Sequence, residues 1–237
     1  MLGVTYPPEY LANPRNHRTR ASLLLQGPTG NVQVDCPPEM RLQLTGAGIT
    51  TLEAVLITHA HADHVMGMDD LRSICILEKR SMPVYALPEH QQDIRRIFPY
   101  AFREPPSGVA YPKFELHEVD PVLRLGGLEI HTFLVRHGSV SVVGLRVNRF
   151  AYITDVSEIP PEAGAQLHGL DVFVVDGVRK RPHPNHFHLD KAIEVGKQFG
   201  AKRTVLTHLG DDYDHDKTNA ELPPGFELAY DGMEFEV

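Results

Sequence analysis

Residues 58–64 read Thr58-His59-Ala60-His61-Ala62-Asp63-His64 and follow directly on the apolar run Ala54-Val55-Leu56-Ile57. Three imidazoles and a carboxylate packed this closely, at the end of a strand-like run, point to metal. Imidazole suits zinc, iron and other transition ions, and a carboxylate compensates their charge. Along an extended chain, side chains two apart share a face, so His59 and His61 can close on one ion. Asp63 and His64 are adjacent and diverge unless the backbone turns there and hands them to a second ion. The plainer alternative is a polar surface turn rich in histidine.

The same grammar recurs. Phe133-Leu134-Val135-Arg136 leads to His137, Ala151-Tyr152-Ile153-Thr154 leads to Asp155, and Val205-Leu206-Thr207 leads to His208. Each is a short apolar run of strand character ending in a residue able to bind a metal. Taken alone, a His or Asp after a strand is usually a turn residue or a helix cap. Taken with the dense cluster, the set gives His59, His61, Asp63, His64, His137, Asp155 and His208 as candidate ligands. Ligands at the ends of neighbouring strands converge on a common rim, where active sites are often found.

These side chains exceed what one tetrahedral ion needs and suit two ions sharing a bridge, for which Asp155 is best placed. Two divalent ions bring four positive charges, offset by Asp63, Asp155 and a bridging hydroxide, while neutral imidazoles offset none. A residue of about plus one favours an anionic substrate and a water nucleophile near neutral pH. The chemistry expected is metal-assisted hydrolysis. Zinc, manganese and iron all accept this donor set.

The chain has 237 residues and a formal charge of −8. It shows no low-complexity linker, solenoid repeat or charge block, and the candidate ligands run from His59 to His208, so a single domain over residues 1–237 is expected. The acidic balance argues against a general nucleic-acid binder, which would show a basic face. It leaves room for a small anionic partner, which responds to local charge. Cys36 and Cys75 fit two reduced thiols better than a bridge. The N-terminus lacks an apolar signal core and no stretch approaches transmembrane length, so a cytoplasmic location without membrane contact is the default. The oligomeric state is not fixed by the sequence, and a homodimer stays open.

Patterning reads as interleaved strands and helices. Met1–Asn16 is proline-rich and irregular. Ala21–Leu25 and Val32–Val34 flank a Gly27–Asn31 turn. Short helices are expected over Pro38–Leu44, Gly67–Ile76 and Glu89–Ile97, and a strand over Leu52–Thr58. Pro83–Ala86, Glu129–Val135, Val142–Val147, Ala151–Thr154 and Val172–Val175 read as further strands. Tyr100–Pro112 reads as an aromatic, proline-rich loop near a binding site. A final amphipathic helix spans Asp190–Phe199, with Asp190 as N-cap and Gly200 as stop. Irregular interleaving favours a layered α/β domain with mixed sheets.

The cluster His59-Ala60-His61-Ala62-Asp63-His64, followed by His137, Asp155 and His208, resembles the metallo-β-lactamase superfamily. The resemblance implies an αβ/βα sandwich of two mixed β-sheets flanked by helices, with a dinuclear site at one edge. It implies that His59, His61 and His137 hold one ion, that Asp63, His64 and His208 hold the other, and that Asp155 bridges them. Asp35 matches a position that braces such a site by hydrogen bonds. Arg18-Thr19-Arg20-Ala21-Ser22, Asn185-His186 and the stretch Leu222-Pro223-Pro224-Gly225-Phe226 are similar to PhnP-type phosphodiesterases, which open phosphoribosyl 1,2-cyclic phosphate. Those enzymes often carry an N-terminal cysteine cluster and a histidine three residues beyond the last ligand. Here no cysteine precedes Cys36 and that position is Asp211, so no structural zinc is expected.

The loop Arg179–His188 is the second informative stretch: six basic or imidazole residues, kept non-helical by Pro182 and Pro184. It suits contact with a phosphate and donation of a proton, or else it is a solvated basic loop. The resemblance puts His186 at the family's catalytic histidine, near the substrate phosphate. The mechanism expected has His186 protonate the leaving alkoxide and Asp63 bind metal and orient or deprotonate the nucleophile. His183 is a weaker choice. His188 reads as helix-adjacent, and Asp176 as a turn residue or a support behind the ligands. Arg15, Arg18 and Arg20 suit phosphate or plain surface equally. His17, His90, His117, His131, His168 and His215 read as surface residues.

The expected substrate is a small phosphodiester, cyclic by preference. Rivals are a tRNA 3′-processing endonuclease, a glyoxalase II-like thioesterase or lactonase, and a di-iron redox domain. The last would carry Glu where His61 stands. A fold retained for binding without turnover fits least, because every ligand position is filled.

Overall fold

The computed structural model describes residues 3–236; Met1, Leu2 and Val237, part of the termini considered above, lie outside them. The chain holds two mixed β-sheets flanked by helices and divides into two compact units. One comprises residues 20–132; the other joins the N-terminal residues up to Thr19 with Phe133 onward.

The expected irregular start contains a short helix, α1 (Pro8–Ala12), and a 3-10 turn over Pro14–Asn16. Proline at the first helical position explains both, because its fixed φ suits that position and its missing N–H is not needed there. This segment is fastened to the later half of its own unit. Thr19 Oγ1 donates to Asp231 (2.6 Å), Arg18 to the Tyr213 carbonyl (2.7 Å), and the His215 N–H to Asn16 Oδ1 (2.8 Å).

Within residues 20–132, β1 (Leu23–Gln26) pairs antiparallel with β2 (Asn31–Val34) in the expected hairpin. Three parallel neighbours follow: β3 (Ala54–Leu56), β4 (Met82–Tyr85) and β5 (Phe114–His117), in the order β1-β2-β3-β4-β5. Parallel pairing needs crossovers. These are α2 (Met40–Gly46), then α3 (Ala62–Val65) with α4 (Arg72–Glu78), then α5 (Pro88–Ile97). The helix expected over Gly67–Ile76 is a 3-10 turn over Met68–Leu71 running into α4. Val55, Ile57, Met68, Leu71, Val84 and Phe98 form the centre of this unit's core.

Gly67 fixes α3 against the end of β2. Its N–H donates to the Cys36 carbonyl (2.8 Å), the Cys36 N–H donates to the His64 carbonyl (2.7 Å), and a Cβ on Gly67 would sit 2.0 Å from the Pro37 oxygen. Only glycine allows that approach.

β6 (Val122–Leu125) pairs antiparallel with the early half of β7 (Leu128–His137), and the unit boundary falls inside β7. Beyond it come β8 (Val140–Val147), β9 (Phe150–Ile153), α6 (Pro161–Gly164), β10 (Val172–Asp176), α7 (Leu189–Phe199), β11 (Arg203–Thr207), α8 (His215–Glu221) and β12 (Phe226–Leu228). Their order is β12-β11-β10-β9-β8-β7, with β9 to β12 parallel. Every residue of β10 is buried, and up to Asp176 it reads as an unbroken apolar run, Val172–Val175. Phe133, Val142, Phe173, Val175 and Leu206 lie in this unit's core. The N-cap of α7 is His188 and Asp190 sits in its first turn; Gly200 ends it in the left-handed conformation as expected. Among the described residues, no helix is long and apolar enough to cross a membrane.

Candidate metal and acid–base centre

The predicted residues gather into two clusters, one per unit. In residues 20–132 the backbone turns after His61, which ends the extended stretch and precedes α3. Asp63 and His64 therefore occupy a helical turn, the change of direction their adjacency demanded. His59 and His64 are buried, Asp63 is half-buried and His61 is exposed. His59 Nε2 lies 2.9 Å from His61 Nδ1, and His64 Nε2 lies 3.6 Å from Asp63 Oδ2.

Asp35, fully buried after β2, holds this cluster from behind. Its Oδ1 accepts the Thr58 N–H (2.8 Å), and its Oδ2 accepts the Thr58 hydroxyl (2.8 Å) and faces His64 Nδ1 (2.8 Å). With Nδ1 so engaged, Nε2 is the nitrogen His64 offers to a cation. Cys36 beside it is a free, buried thiol whose pKa burial, then the Asp35 charge, push well up.

In the other unit, His137 shares the inward face of β7 with Phe133 and Val135. Its Nδ1 meets the Asn185 carbonyl at 2.7 Å. Asp155 follows β9, its Oδ1 accepting the Thr154 hydroxyl (2.7 Å). That same oxygen lies 3.3 Å from His208 Nε2, and its Oδ2 lies 3.9 Å from His137 Nε2. Asp155, His186 and His208 each present an atom within 4.8 Å of the others. His186 Nδ1 lies 2.9 Å from Asp176 Oδ2, which also accepts the Val156 N–H at 3.0 Å. Asp176 Oδ1 stands 3.9 Å from His208 Nδ1. Asp176 is thus a support behind two histidines.

Asp35, Asp155 and His208 have φ of 61°, 35° and 58°. Left-handed backbone costs a non-glycine residue roughly 1–2 kcal/mol, and such strain collects at functional sites.

A divalent ion fits these donors. Ligand atoms about 2.0–2.1 Å from tetrahedral zinc lie roughly 3.3 Å apart. The separations here run from 2.9 to 3.9 Å, with imidazole nitrogens and carboxylate oxygens only. His90 and His215, expected at the surface, are buried. His90 lies on the buried face of α5 with Ile94, its ring 6.3 Å from that of His59. His215 opens α8 against Tyr230, and burial, then Arg15 and Arg18, hold its pKa below the ordinary value. Helical periodicity around a single polar residue was the only signal available for either.

Two mixed sheets carrying imidazoles and carboxylates at their strand ends define a metallohydrolase-type scaffold. The Beta-lactamase superfamily domain matches residues 30–209, and the chain belongs to the metallo-β-lactamase superfamily. It is similar to a crystal structure of a diphosphatase from the PhnP family, with TM-score 0.90 and 32% identity, covering 100% of this chain and 92% of that one. An octanoyltransferase from Porphyromonas gingivalis is 35% identical over 92% of this chain, which spans only 44% of that protein. A ribonuclease Z from Myxococcus xanthus is 24% identical over 100% of this chain and 98% of its own length.

Proposed function

We propose that residues 1–237 form a single metal-dependent hydrolase domain acting on a small phosphodiester, with cyclic esters such as phosphoribosyl 1,2-cyclic phosphate as the fitting class. The observation that carries this reading is Asp155, whose two carboxylate oxygens each face a different imidazole Nε2, at 3.3 and 3.9 Å. That is the disposition of a bridging ligand. In this reading His59, His61 and His137 hold one divalent ion, Asp63, His64 and His208 hold a second, and Asp155 is shared. When bound, zinc or manganese ions, or iron, offset the charge of the phosphoryl oxygens and make a water nucleophile accessible near neutral pH.

The chain's own residues supply the rest. Asp63 orients the nucleophile. Asp35 and Asp176 fix which imidazole nitrogens carry protons. His186 gives the proton that the leaving alkoxide needs: Asp176 holds its Nδ1, so transfer runs through Nε2. Similarity to a PhnP-family diphosphatase supports phosphoryl chemistry, and similarity to a ribonuclease Z favours RNA as a second substrate class.

The test is metal analysis of protein purified without added ions, followed by a panel of bis(4-nitrophenyl) phosphate, a thioester and a precursor tRNA at moderate salt. About two ions per chain and chelator-sensitive phosphodiester turnover are expected, with His186→Ala lowering kcat by ~10²- to 10⁴-fold at unchanged metal content. Preference for the thioester, turnover indifferent to chelator, or an unaffected His186→Ala kcat overturns it.

A further inference from the structure

The stretch between β10 and α7 is a loop closed at its neck. The Val178 N–H donates to the Phe187 carbonyl (3.0 Å) and the Leu189 N–H to the Arg179 carbonyl (2.9 Å). Arg179 folds back on the loop, its Nε donating to the Arg181 carbonyl (3.1 Å) and an Nη2 N–H to that of Pro182. Phe187 is 3% exposed and anchors the loop in the core. The basic stretch legible in the sequence is therefore a compact mount, with Arg179 occupied in holding it together.

Three imidazoles meet on this mount, and the Nδ1 of each is committed. A backbone carbonyl and a carboxylate only accept, so His137 and His186 carry a proton on Nδ1. His183 is the reverse: its Nδ1 accepts the Asn185 N–H at 3.1 Å. In the neutral ring its proton therefore sits on Nε2. The His183 ring centroid is 4.8 Å from that of His186, edge to face, and His186 in turn lies 4.4 Å from His137. Of these three rings, His183 alone offers a hydrogen-bond donor from Nε2 while uncharged.

We propose that His183 is a substrate-binding residue whose neutral Nε2–H takes a non-bridging oxygen of the phosphoryl group held beside His186. This rests on the phosphodiesterase reading above. Burial, then His186 and Arg179, hold the His183 pKa below the ordinary imidazole value, which suits a donor that binds without delivering a proton. Half-buried on the loop, it can be replaced without opening the core.

The experiment uses metal-loaded protein and two probes, bis(4-nitrophenyl) phosphate turnover and inorganic phosphate binding followed by phosphorus NMR. His183→Ala is expected to raise KM and the phosphate Kd by about 10-fold or more, the contribution of a hydrogen bond to a charged group, with kcat within about threefold. His183→Asn can still accept the Asn185 N–H through an Asx turn but ends short of the Nε2 position, so it should behave like His183→Ala. Wild-type values in His183→Asn alone would reduce His183 to a loop brace. Unchanged values in both variants, or a large fall in kcat at constant KM, would overturn the proposal. If no phosphodiester is turned over, the earlier reading fails, and phosphate binding still decides this one: binding weakened in both variants supports it, and no binding by wild type ends it.

Discussion

Replacing Asp176 by Asn removes a charge while keeping size. Asp176 is fully buried, and its Oδ2 takes both the Val156 N–H and His186 Nδ1. An amide oxygen in that place keeps both hydrogen bonds but loses the charge behind the imidazole. Hydrogen bonds to charged groups contribute about 1.5–3 kcal/mol and neutral ones about 0.5–1.5, so the charge is worth about 1–2 kcal/mol. That corresponds to a fall in kcat of roughly 5- to 30-fold. Asp176→Ala goes further, leaving the buried Val156 N–H without an acceptor at about 1–3 kcal/mol of stability, with a smaller loss from the part-buried His186 N–H. Urea unfolding monitored by circular dichroism, together with kcat on bis(4-nitrophenyl) phosphate and metal content, reads both effects. An Asn variant with kcat within twofold of wild type and full metal content would show that Asp176 does not act through His186. An Ala variant as stable as wild type would refute the burial argument.

Asp35→Ala should weaken metal retention about 10- to 100-fold, the usual effect of losing a group that orients a ligand; equilibrium dialysis against a chelator checks this, and wild-type retention counts against the brace. Gly67→Ala should cost about 3 kcal/mol or more, because a Cβ would meet the Pro37 oxygen at 2.0 Å and that neighbour is backbone; an unchanged urea midpoint would contradict it. Tyr100 donates to Asp69 Oδ1 at 3.0 Å, and burial, then that bond, push its phenol up to about 12. Its folded value exceeds the unfolded one, so its contribution is complete below about pH 10 and is lost as pH rises through about 12. Tyr100→Phe should accordingly flatten the alkaline fall in melting temperature over that window, and an identical slope in both proteins would count against it.

The features legible in the sequence are those where one residue type dominates a short window. The histidine cluster, the β1–β2 turn and the candidate ligands at the ends of β7, β9 and β11 were readable, because strand runs and polar terminators contrast sharply, while the brace at Asp35 came from the family resemblance. β5 and β12 were not. Phe114–His117 follows a proline-rich stretch, and Phe226–Leu228 is a three-residue edge strand, too short for alternation to register. Pairing with a distant strand makes each of them. The left-handed backbone at Asp155 and His208 was equally hidden, since glycine, not these residues, normally announces it. For Asp176 the sequence left a turn residue and a support behind the ligands both open, because the choice depends on His186, ten positions away on a folded-back loop.

The unit built from two separated segments has a consequence for vectorial synthesis on the ribosome. Residues 20–132 emerge as one uninterrupted block with their own apolar cluster, and domains tend to fold as units in order of appearance. The segment up to Thr19, by contrast, finds its hydrogen-bonding partners Tyr213, His215 and Asp231 only after that block has been made. The interrupting block can therefore close early, while the surrounding unit waits for the residues that follow Thr132.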